Sequence, residues 1–186
     1  MRYFIGFLVS VGLIVLVIIL IMRGLSGGPK PVISAPLSDY ANTTSVVRLT
    51  VAGPIVADQQ FQSYQITVGR DQTTIETRKG YEGATIDQRT YSNNQESYYN
   101  FLRALDVAGF TKGDSKSPNK DERGMCASGD RFVMQIKNGE SDVQRFWSAT
   151  CRGQGNFKGS TDNVRRLFVT QIPTADFSKL TNSLQL

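Results

Sequence analysis

The chain opens on an unbroken apolar run and then changes rhythm. From Phe4 to Met22, nineteen residues carry no charge and one weakly polar side chain, Ser10. As a helix rising 1.5 Å per residue, such a run spans roughly 28 Å, close to the ~30 Å hydrocarbon core of a bilayer. A soluble protein of this size does not bury so long a run in one element, so residues 1–23 are predicted to form a transmembrane signal anchor. The glycines, serine and prolines of Gly24–Pro31 then predict a linker, taken as residues 24–44.

From Ser45 the pattern becomes alternation. Val47, Leu49 and Val51 against Arg48 and Thr50 predict a strand, and Tyr64, Ile66 and Val68 against Gln65 and Thr67 predict another. The turn Gly69–Gln72 leads to a shorter strand over Thr73–Thr77, and Lys79–Gly83 is a second turn before a strand across Thr85–Tyr91. Ser92-Asn93-Asn94 then supplies caps for a helix through Ala108, closed by Gly109, with Tyr98, Phe101, Leu102 and Leu105 on one face. A second helix is predicted after Ser160-Thr161-Asp162, with Val164, Leu167 and Phe168 inward, and a short final helix from Asp176. The order predicts an α+β domain over residues 45–186: an antiparallel sheet of about five or six strands with helices packed on one face.

The sharpest local signal is Asn138-Gly139, between Arg131–Ile136 and Ser141–Ser148. An Asn-Gly pair flanked by alternating segments predicts a two-residue type I′ hairpin. In that register Ile136 faces Ser141, Met134 faces Val143 and Phe132 faces Arg145. Phe132, Met134, Ile136, Val143, Trp147 and Ala149 then share a core face, with Val133 and Phe146 outward. Continued outward, the same register sets Cys126 opposite Cys151 in a non-hydrogen-bonded pair, where Cα atoms approach to ~4.5 Å, within reach of a disulfide. Such a link would stabilise the domain by ~3 kcal/mol. The competing reading is two buried free thiols. A disulfide implies an oxidising compartment, and this breaks a tie: Arg2 before the span and Arg23 and Lys30 after it do not orient the anchor by themselves. The expected location is the cell membrane, single-pass, with the carboxy-terminal domain extracytoplasmic.

Charge and composition then narrow the chemistry. Beyond Ser45, eighteen Lys and Arg face fifteen Asp and Glu, interspersed in sign and with no basic stripe, so no nucleic-acid partner is expected. The chain has no histidine and two cysteines, which excludes Ser-His and Cys-His nucleophilic pairs, histidine zinc sites and four-cysteine zinc sites. Gly153-Gln-Gly155-Asn-Phe-Lys-Gly159 lacks both Walker and dinucleotide spacing, and reads as a sharp turn with Phe157 plugging the core. Carboxylates such as Asp58, Glu76, Glu82 and Asp87 are present, but nothing in the sequence pairs them. No catalytic, metal-binding or cofactor-binding residue is singled out, and no cofactor is expected.

Val47-Arg-Leu-Thr-Val51, Ile66-Thr-Val-Gly-Arg-Asp71, Phe101-Leu-Arg-Ala-Leu105, and Cys151 with Phe157, Leu167-Phe168 and Gln171-Ile-Pro173 resemble segments of small, uncharacterised single-pass proteins of bacteria with reduced genomes. The resemblance implies a bacterial cell-surface location and an outer domain without assigned activity. The expected function is a membrane-tethered, non-catalytic binding domain for a protein or cell-envelope component. A surface hydrolase using paired carboxylates and an envelope subunit self-assembling through its apolar helix are the alternatives.

Overall fold

A computed structural model describes residues 36–117, 121–182 and 184; the predicted transmembrane segment lies outside the described residues. Among those described, no helix is long and apolar enough to cross a membrane. The architecture is α+β. Six strands form one antiparallel sheet: β1 (Val46–Ala52), β2 (Gln62–Val68), β3 (Gln72–Lys79), β4 (Ala84–Ser92), β5 (Arg131–Asn138) and β6 (Ser141–Ala149). Their spatial order is β4-β3-β2-β1-β5-β6. The first four strands run as a meander. Helix α1 (Gln95–Val107) then returns the chain, so that β5 pairs with the free side of β1. Two short helices follow, α2 (Thr161–Val169) and α3 (Thr174–Thr181).

Helices α1 and α2 begin where side chains can satisfy their first amides. Asn94 accepts from the Ser97 N–H and Ser160 from the Asn163 N–H. Gly109, at φ +79°, ends α1 in the left-handed conformation. Alternation then separates two faces of the sheet. Val47, Leu49, Val51, Tyr64, Ile66, Ile75, Met134 and Ile136 form one cluster with Tyr98, Leu102 and Leu105 of α1, Val164 and Phe168 of α2 and Leu180 of α3. Phe157 belongs to this cluster, as its predicted plugging role requires. So do Leu37 and Ala41, from a 3-10 helix at Leu37–Asn42, inside the stretch that composition assigns to the linker. The other face is polar. It carries hydrogen bonds from Arg48 Nε to Thr67 Oγ1 (3.3 Å) and between Thr74 and Thr90 (3.2 Å), and an Arg78–Glu76 ion pair.

The β5–β6 hairpin departs from the register predicted for it. Asn138 pairs with Ser141, so the two loop residues are Gly139 and Glu140. Positive φ falls on Gly139 alone, the requirement of a type II′ turn and not of I′. A bulge then follows: Lys137 pairs with Asp142 but Ile136 with Gln144, which leaves Val143 unpaired. The net slip is three residues, an odd number, so β6 turns its other face to the core. Met134 faces Phe146, which joins the core, while Val143 is half exposed. Trp147 is fully buried, but on the opposite face beside Val133.

This register does not set the cysteines opposite each other, yet their sulfurs lie 2.04 Å apart, at disulfide distance. The meeting is made by a turn. The ladder runs on as far as Thr150, whose N–H donates to the Asp130 carbonyl at 3.0 Å. The chain before it curls at Cys126–Gly129, where the Gly129 N–H donates to the Cys126 carbonyl and Cys126 adopts φ +50°. Gly129 thereby stands where a ladder partner of Cys151 would stand. Lacking a Cβ, it leaves room for the Cys126 sulfur.

Candidate functional site

A hydrolase of the expected kind would need two converging carboxylates. Asp58 accepts the Tyr81 N–H at 2.8 Å, Glu76 pairs with Arg78, and Asp87 accepts the N–H of its neighbour Gln88. All three serve turns or ladders. Glu82 differs, because it lines a cleft.

That cleft, about 540 Å³, lies on the polar face of the sheet, at the end where β1 and β3 finish and β2 begins. Its floor includes Thr50 and Ala52 of β1, Ser63 of β2 and Arg131 of β5. Three separate segments form the walls: Ile55 and Phe61 from the β1–β2 connection, Gly80–Gly83 from the β3–β4 turn, and Glu122–Gly124 from the loop before β5. The last wall is fastened at several points. Glu122 pairs with Arg145 of β6, the Ile55 N–H donates to the Ala127 carbonyl at 2.8 Å, and Cys126 meets Cys151 just beyond. Two hydrogen bonds from Arg123 hold the Asp121 carboxyl well below the usual carboxylate range, at about 2.

Two features distinguish this cleft. The first is a rigid aromatic pair. Phe61 and Tyr81 stack with centroids 4.2 Å apart and planes 16° from parallel. Tyr81 is 51 % exposed, yet it is fixed at both ends: its N–H donates to Asp58, and its hydroxyl donates to the Val56 carbonyl at 2.8 Å. Gly80, at φ +73°, makes the turn that presents the ring. The second feature is Arg131, only 4 % exposed. One Nη2–H donates to the Gly53 carbonyl, and the guanidinium carbon lies 5.6 Å from the Phe61 centroid. Its Nε has no hydrogen-bond partner, and no described carboxylate stands within ion-pair distance of it. A buried cation so placed is costly unless something completes it.

A second hollow, about 380 Å³, opens at the other end of the same strands, beside Thr44, Gly69 and Thr74. Its two charged residues, Arg70 and Asp71, neutralise each other, and it contains no aromatic side chain. Among the described residues no group of three or more His, Cys, Asp or Glu is arranged to hold a metal ion.

The glycine-rich segment after β6 is structural. A Cβ at Gly155 would stand 2.5 Å from the Trp147 carbonyl oxygen. The close approach lets Asn156 and Phe157 both donate their N–H groups to that carbonyl, while Asn156 Oδ1 accepts from the Trp147 N–H. Arg131 is the residue that sequence reasoning passes over. It occupies a polar position at the start of an alternating strand, and nothing local announces that loops from elsewhere will bury it. The sequence matches no protein-family model and no curated protein.

Proposed function

We propose that this chain is a membrane-tethered, extracytoplasmic binding domain, and that the cleft at the end of the sheet is where it holds its ligand. The single observation that carries the reading is Arg131: a buried, incompletely hydrogen-bonded guanidinium beside a fixed aromatic pair. The cleft combines apolar surface with a few directed polar groups, the composition of a small-molecule site. The tether is supported by the nineteen-residue apolar run, and the extracytoplasmic side by the two cysteines at disulfide distance.

The test is a small-molecule screen by methyl and aromatic NMR on the full chain in nanodiscs. Hits are expected to shift Ile55 and Tyr81 resonances and to be lost in Tyr81→Leu. Hits gathering at the Gly69 hollow instead, or none at either place, would overturn the assignment of the cleft.

One observation favours the hydrolase alternative: Glu82 and Glu122 line the same cleft. Glu122 is already in an ion pair with Arg145, which leaves Glu82 without an evident acid partner. If Glu82→Gln abolished turnover of a cell-envelope substrate while binding persisted, the chain would be an enzyme.

A further inference from the structure

We infer that the cleft receives a carboxylate carried beside a flat apolar group, with Arg131 binding the carboxylate and the Phe61–Tyr81 pair supporting the apolar part. The inference rests on the cleft being the binding site. Its first support is charge. Arg78 is matched by Glu76 and Arg123 by Asp121, which leaves Arg131 as the buried lining cation without a carboxylate. A guanidinium offers five donors in a planar fork. Here one is committed to Gly53, and Nε to nothing. A carboxylate matches that fork in shape and supplies the missing charge.

The same accounting argues against a dianion. With Glu122 matched by Arg145, Glu82 is the lining anion left over, and a phosphate would meet it with only one uncompensated cation in its favour. The apolar half of the ligand follows from adjacency. Ala52, Ile55 and Phe61 supply the apolar lining, and the Phe61 ring neighbours both the guanidinium and the Tyr81 ring. Because Tyr81 is anchored at its N–H and at its hydroxyl, the surface is flat before the ligand arrives, and little side-chain freedom is lost on binding. An aromatic amino acid carboxylate joins both parts in one small molecule, whether free or at the end of a peptide.

The experiment is calorimetric titration of the full chain in detergent micelles with N-acetylphenylalanine and with its amide. The acid is expected to bind saturably and the amide at least tenfold more weakly. Tyr81→Leu, at a half-exposed ring, should weaken the acid at least fivefold, and Arg131→Lys at least tenfold, provided near-ultraviolet dichroism shows that the buried substitution still folds. The comparison of acid with amide needs no substitution and stands without it. Equal binding of acid and amide, or tighter binding of phenyl phosphate, would overturn the inference and leave the cleft assignment intact. Failure of both phenylalanine derivatives, while other small molecules shift Tyr81, would do the same. A pentapeptide ending in phenylalanine separates the two sources: binding at least tenfold tighter than the acetylated amino acid identifies a chain end, and equal binding a small acid.

Discussion

A methyl group at residue 129 would stand 2.2 Å from the Thr150 hydroxyl and 2.9 Å from the Cys126 sulfur. Gly129→Ala should therefore destabilise the domain by ~1–3 kcal/mol in denaturant unfolding, as overpacking does. It should also hinder the two thiols from closing into a bond as the chain folds, so that a fraction of molecules labels without a reductant; unchanged stability and unchanged labelling would contradict the geometry. Two positions on β6 test the register directly. Phe146→Ala should cost ~3–5 kcal/mol, whereas Val143→Asp should stay within ~0.5 kcal/mol of the parent. The reverse ranking would restore the facing that the Asn-Gly signal predicts. Both residues are legible as apolar members of an alternating run. Which face each occupies is not, because one bulged residue inverts the assignment and leaves no mark in the composition around it. Arg131 is harder still to read, since its burial depends on chain more than seventy residues away.

Elements were legible wherever one local rule governed them. Caps and 3.6-residue spacing locate α1 and α2, alternation locates β1 and β2, and the turns at Gly69–Gln72 and Lys79–Gly83 locate β3 and β4, because each of these signals is local in the chain. The 3-10 helix at Leu37–Asn42 is too short to show a period, so its place in the core could not be read. Leu37→Ala should cost ~2–5 kcal/mol, measured by thermal or denaturant unfolding, since the side chain is fully buried; a negligible loss would return the segment to the linker. A tie between elements also predicts a response to alkali. Tyr91 of β4 donates its hydroxyl to Asp176 of α3 at 2.8 Å. Burial, and then the bond to that carboxylate, raise its pKa to about 12. Burial likewise raises Tyr98, whose hydroxyl donates to the Ser45 carbonyl. The unfolded chain releases these protons first, near pH 10, so stability should fall as pH rises from about 10 towards 12. Tyr91→Phe should flatten part of that slope in unfolding curves measured between pH 9 and 12, and an unaltered slope would remove Tyr91 as a cause.

At the scale of the whole molecule, the cleft was illegible for a plain reason: its walls come from three loops brought together only by the sheet, and none carries a motif. The cysteines connect this scale to the site, because their turn fastens the wall that contains Glu122–Gly124. In intact cells a membrane-impermeant maleimide is expected to label the protein only after mild reduction, and reduction is expected to weaken any cleft ligand. Labelling that required lysis but no reductant would place the domain on the cytoplasmic side.

The position of β1 also has a consequence in time. It sits between β2 and β5, and β5 follows it in the chain by about 80–90 residues. At ~5–20 residues per second, a growing polypeptide holds that side of β1 unpaired for roughly 4–18 s. Throughout that interval Val47, Leu49 and Val51 form the apolar margin of an unfinished sheet, open to any neighbouring nascent chain. Biosynthesis of this protein therefore has a vulnerable period set by strand order alone, and chains arrested before Arg131 should be the ones that aggregate or recruit chaperones.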